Sequence, residues 1–181
     1  MDLRTELLRE HSARQTRRLT DYACAHPAHL SELLQLFFYG GAREQQLAAD
    51  VLGWVGERRP QWLVPHLAGL LAAVQPGTGQ HPAVRRGVVR ALQFVPVPEE
   101  WQALAFDTCL ALLTAPKEPV AIKVYALSAA ARLVGSYAEL AGEVVAAAEL
   151  ALRHGASAAL RLRAEREFPR LRNLAREVLP G

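Results

Sequence analysis

Pro82-Ala83-Val84-Arg85-Arg86-Gly87-Val88-Val89-Arg90-Ala91-Leu92 has the pattern of a half-buried helix. Pro82 suits the first helical position, where a missing N–H costs no hydrogen bond. Val84, Val88, Ala91 and Leu92 form one apolar stripe at helical spacing, and Arg86 and Arg90, one turn apart, project away from it. Three other segments align with this one without gaps: Glu44 to Leu52, Ile122 to Ala130 and Leu160 to Phe168. Their register residues, Gln45, Arg85, Lys123 and Arg161, are 40, 38 and 38 residues apart. Four residues into each segment stands a small or β-branched side chain: Ala48, Val88, Ala126 and Ala164.

An apolar helix precedes each segment: Leu30 to Phe38, Leu63 to Val74, Trp101 to Leu113 and Leu140 to Leu152. The repeating unit is therefore a helical hairpin of about 38 residues, present four times. A lone hairpin covers only one of its two apolar faces; stacking like units buries the other and builds a core from neighbour contacts. Alanine at the crossings lets helix axes approach closely. The expected domain is a single one over 1–181: an N-terminal capping helix (1–26, Leu3 to about Ala25), four hairpins (27–168) and a C-terminal capping segment (169–181). Leu171, Leu174, Val178 and Leu179 are expected to cover the last hairpin.

Local signals agree. Pro27, Pro98 and Pro119, like Pro82, are expected at first helical positions, and Glu99 and Glu100 suit a helix N-terminus. Pro65 and Pro169 fall inside helical patterns and should kink, start or end a helix nearby. Val95-Pro96-Val97-Pro98 reads as a linker, and Pro76-Gly77-Thr78-Gly79 as a loop with no lysine and no preceding strand.

The 82–92 segment resembles the second-helix consensus of HEAT repeats, in the armadillo-like α-solenoid group. Ile122-Lys123 and Leu160-Arg161 match more loosely, and Glu44-Gln45 only in its later residues. The resemblance spans about residues 27–168. It implies an all-α fold, a right-handed α-α superhelix whose second helices line a concave surface. It also implies that Arg85 bridges repeats. The family's aspartate before the second helix is missing, with Glu118 its nearest substitute. The chain is also similar to a group of short bacterial HEAT-like proteins, some labelled adenylosuccinate lyase. Such lyases are much larger and use a serine-rich mobile loop, which has no counterpart among the five serines here.

Composition bounds the function. The 181 residues are 51% hydrophobic and 22% charged, a globular balance, with a net charge of +3. Residues 151–181 carry seven arginines against Glu165, Glu167 and Glu177, and the rest of the chain is close to neutral. No nucleophile elbow, phosphate-cradling glycine loop or HExxH appears. Cys24 and Cys109 form no CxxC pair, which fits a reduced, cytoplasmic protein. The N-terminus lacks the pattern of a signal peptide. The most apolar run, Val120 to Val134, is interrupted by Lys123 and Arg132, so no membrane span is expected.

The expected role is a non-enzymatic protein-interaction module with no cofactor. Candidate binding residues are Arg86 and Arg90, with Gln46 and Asp50 at equivalent outward positions, and Trp54 as an anchor. His11 and Gln15 are added as a polar pair on the apolar stripe of the leading helix. The alternative partner is nucleic acid, through Arg86, Arg90 and the C-terminal arginines Arg161, Arg163, Arg166, Arg170, Arg172 and Arg176. The repeats show no continuous basic stripe and no interleaved aromatics, which such binding needs. Cys24, His26, His29 and Glu32 are metal-type ligands at no standard spacing, so no metal is expected and Cys24 is placed in the core.

Overall fold

The computed structural model describes residues 1–75, 77–155 and 157–178, with the side chains of Ser136 and Val178 excepted. Pro76 of the glycine loop and the capping side chains of Val178 and Leu179 lie outside the described residues. The described residues form helices and turns, with no strand among them. They fall into two compact units, Met1–Pro96 and Val97–Gly181.

The N-terminal unit contains α1 (Leu3–Arg9), α2 (Ala13–Ala25), α3 (Pro27–Tyr39), α4 (Ala42–Arg58), α5 (Pro60–Leu63), α6 (Leu67–Ala72) and α7 (Pro82–Leu92). Within it, α2 packs on α4 and α4 on α7, so second helices neighbour second helices. The leading segment is not one capping helix. Glu10 is extended (φ −157°, ψ 155°), and each half has its own N-cap. Asp2 Oδ1 accepts from Arg4 N (3.2 Å), and Ser12 Oγ accepts from Gln15 N (3.1 Å). The Ser12 cap thus starts a second helix where the apolar pattern alone would continue the first. The result is a further hairpin whose two helices both touch α4.

His26 ends α2 and begins α3, its Nδ1 accepting from Ala28 N at 3.2 Å. Pro27 and Pro82 occupy first helical positions, whereas Pro98 and Pro119 stand one residue earlier, as N-caps. Pro65 breaks its helix, because it cannot donate to the carbonyl one turn back. A 3₁₀ turn, Val64–His66, therefore separates α5 from α6.

The C-terminal unit contains α8 (Glu99–Thr114), α9 (Val120–Leu133), two 3₁₀ turns (Val134–Ser136 and Ala138–Leu140), α10 (Ala141–Gly155) and α11 (Ala158–Val178). First helix α8 meets first helix α10, and second helix α9 meets second helix α11. That is the neighbour pattern of stacked hairpins. Pro169 lies inside α11, so it neither starts nor ends that helix. The small or β-branched side chains of the four segments, Ala48, Val88, Ala126 and Ala164, are all buried, as are Val95 and Val97 in the segment read as a linker.

One crossing is unusually close. A Cβ on Gly87 of α7 would run into the Ala49 carbonyl of α4. A Cβ on Gly56 would lie 2.5 Å from Ala91 Cβ and 2.7 Å from Ala91 Cα. Glycine on both helices lets α4 and α7 touch through their backbones. Helix propensity favours Gly87→Ala by about 1 kcal/mol, but overpacking against backbone costs about 1–3 kcal/mol. The variant is expected to unfold at a lower temperature than wild type; an equal or higher melting temperature would contradict the crossing.

Glu44 anchors the turn into α4. Its side chain is buried, with Oε1 2.5 Å from Arg4 Nε and Oε2 accepting from Gly41 N at 2.7 Å. The Arg4 hydrogen bond, then the Gly41 amide, hold its carboxyl below the usual range. A lowered folded pKa adds stability above the unfolded value, about 4.3, and loses it as pH falls through the folded value. Glu44→Gln should melt lower than wild type at neutral pH, with the gap closing in acid. A gap that does not change with pH would rule the charge out.

Candidate functional site

The close α4–α7 crossing places the outward residues of two helices within reach of one another. Asp50, on α4, sits at the centre. Its Oδ1 accepts from Arg86 of α7 at 3.2 Å, and its Oδ2 accepts from Thr16 Oγ1 of α2 at 3.3 Å. His11 Nε2 lies 3.9 Å from Oδ2. One turn further on, the guanidinium of Arg90 lies over Trp54, 3.3 Å from the ring centroid. Arg90 also donates to Glu57 Oε2 at 2.8 Å. The spacing is helical on both sides: Asp50 and Trp54 are four apart on α4, Arg86 and Arg90 four apart on α7.

Gly53 makes the second rung possible. A Cβ there would lie 3.0 Å from Arg90 Cδ and 3.3 Å from Arg90 Cβ, so the arginine stem crosses α4 where a side chain is lacking. The guanidinium is then held three ways, by its stem, the indole face and a carboxylate. Its side chain is 18% exposed, against 39% for Arg86 and 41% for Glu57. Trp54 is half-buried.

The structure therefore brings together Asp50, Arg86, Arg90, Trp54 and His11. Gln46 is half-buried one turn before Asp50 on α4. Gln15 is separated from the group. It is buried, and its Nε2 donates to the Glu6 carbonyl at 2.6 Å and to Glu6 Oε2 at 3.2 Å, tying α2 to α1. His11 and Gln15 do not share a helical stripe, because His11 falls in the break before α2. Thr16 and Glu57 are members the pattern did not suggest. Glu57 was within reach of notice, since it lies one turn beyond Trp54 on the same helix. Thr16 reaches Asp50 only through the packing of α2 on α4.

The remaining candidates lie away from this group. Arg85 donates to the Gln80 carbonyl, in the loop before its own helix. Arg172 pairs with Glu149 at 3.1 Å and lies over Phe168, and Arg170 donates to the Ala131 carbonyl near the end of α9. Arg163 and Glu167 are 3.9 Å apart, while Arg161, Arg166 and Arg176 are exposed. His29 stacks on Tyr22 with centroids 3.8 Å apart, and Cys24 is buried. Among the described residues, no group of three or more His, Cys, Asp or Glu is placed to hold a metal ion. Burial pushes the Cys109 thiol up to about 12 and raises that of Cys24 as well, so both stay protonated near neutral pH. No described helix is long and apolar enough to cross a membrane.

The Arg90–Trp54 contact is expected to show a coupling of about 0.5–2 kcal/mol. A double-mutant cycle of Arg90→Ala and Trp54→Ala, read by denaturant unfolding, measures it. Additive single effects would mean that the two side chains are neighbours only.

The chain matches the model of a HEAT repeat domain over residues 3–167, beginning at α1 and running through both units. No curated protein and no solved structure gives a match. Helical hairpins stacked within each unit, and a family match over most of the length, give one conclusion: the chain belongs to the HEAT repeat family.

Proposed function

We propose that this protein is a non-enzymatic interaction module that docks a protein partner on the face formed by α2, α4 and α7. The observation that carries this reading is the clamp of Arg90 between Trp54 and Glu57, one turn from the Asp50–Arg86 pair. Tryptophan and arginine are enriched among residues that dominate interface energies. Side chains already held in place lose less freedom when a partner arrives. Arg86, Asp50 and His11 keep part of their surface open and would form a polar rim around Trp54. Membership of a family of helical repeat proteins, often interaction scaffolds, supports the same reading. Two free buried thiols accord with a reducing, cytoplasmic setting.

Nucleic acid is the weaker partner class. Phosphate affinity comes chiefly from cations that the protein leaves unneutralised. Arg86 and Arg90 instead face Asp50 and Glu57 from their own chain.

Crosslinking capture from the native cell tests the proposal with full-length wild type, Trp54→Ala and Arg86→Ala. A protein bound by wild type should be lost by at least about tenfold with Trp54→Ala, the scale of an interface hot spot. It should be weakened by Arg86→Ala as well, with both variants still folded by circular dichroism. Capture that ignores both substitutions, or a gel shift with short duplex DNA at low salt, would overturn it.

A further inference from the structure

A second place in the N-terminal unit has the chemistry of an anion site. A cavity of about 330 Å³ at the α1–α2 break is lined by Arg9, Glu10, Arg14, Gln15 and Arg18. Its lining is polar, with no aromatic side chain, and three of the five residues are arginines. A shared carboxylate organises it from behind. Glu6 Oε2 accepts from Arg18 at 2.8 Å and from Gln15 Nε2 at 3.2 Å, and Glu6 Oε1 lies 3.6 Å from Arg9. The Gln15 hydrogen bond, then the Arg18 and Arg9 charges, hold the Glu6 carboxyl below its usual range, so it stays ionised near neutral pH.

The charges do not cancel. Glu6 behind and Glu10 in the lining supply two negative charges against the three of Arg9, Arg14 and Arg18, a net of +1. Arg14 is exposed and has no carboxylate partner among the described residues. The ring is cationic, and the Arg18 guanidinium is hydrogen-bonded to Glu6 before any ligand arrives. The helix end adds little, because Ser12 already caps the Gln15 amide. Guanidinium forks match the oxygens of a phosphate group in paired hydrogen bonds.

We infer that the Arg9–Arg14–Arg18 cavity binds the phosphate group of a small phosphorylated molecule. This site is separate from the Trp54 face and does not depend on the function proposed for it. The cavity exceeds what one phosphate fills, and its polar walls suit a hydrophilic remainder. Arg14 supplies the fork that the chain leaves unsatisfied, with Arg9 and Arg18 closing on the other oxygens.

Inorganic pyrophosphate is the probe, titrated into full-length protein at low ionic strength and followed by amide chemical shifts. The expected result is saturable shifts confined to Glu6–Arg18, with binding weakened at least about tenfold by Arg14→Gln, the scale of a charged hydrogen bond. Arg14→Lys should recover only part of it, because an ammonium lacks the fork. Arg17→Gln removes an exposed charge from the same helix outside the cavity and should cost at most about twofold, the scale of a screened surface charge. Equal losses from Arg14→Gln and Arg17→Gln would reduce the site to general surface potential and overturn the inference. So would the absence of saturable shifts, or binding of a phosphoserine peptide in the absence of pyrophosphate binding.

Discussion

Backbone contact between α4 and α7 is the constraint on which the rest of the N-terminal unit depends. Gly53 and Gly56 on one helix face Gly87 and Ala91 on the other. Glycine in a helix weakens it by about 1 kcal/mol relative to alanine, so three at one crossing need a reason. The reason is distance. Larger residues would hold the helices apart, and the outward side chains on either side of the crossing would no longer meet.

Those side chains meet in a particular way. The acidic and aromatic members stand on α4 and the basic ones on α7, so a ladder of opposite partners forms across the seam. An exposed ion pair contributes little stability, roughly 0–1 kcal/mol. The ladder's value is order: it fixes the positions of charged groups that would otherwise sample many rotamers. The α1–α2 junction uses another arrangement, with one carboxylate holding Gln15, Arg9 and Arg18 around a cavity. The first arrangement neutralises its arginines, and the second leaves a cationic excess.

The C-terminal unit buries alanine on its second helices. Ala126, Ala129 and Ala130 of α9 and Ala164 of α11 are all buried, and Ala126 and Ala164 stand at the positions of Ala48 and Val88 in the repeat. Alanine packs closely without the conformational cost of glycine, and neighbouring helices still share an apolar layer. Arg170 then reaches past this layer to the Ala131 carbonyl near the end of α9, where helix carbonyls lack partners.

Periodicity in the chain was enough for the helices, the hairpin of about 38 residues, the small residues at the crossings and the outward placement of Arg86 and Arg90. These follow from local rules: side-chain period, proline at helix starts and the need to bury an apolar stripe. Periodicity did not reveal that Leu3 to Ala25 is two helices, because Ser12 caps the second through a hydrogen bond that leaves the apolar pattern unbroken. Nor could it show that Gln15 turns toward Glu6 while Thr16, next to it, turns toward Asp50. Which carboxylate meets which arginine depends on how closely two helices pass and at what register. That is set by glycines more than thirty residues apart in the chain, and only the folded packing brings them face to face.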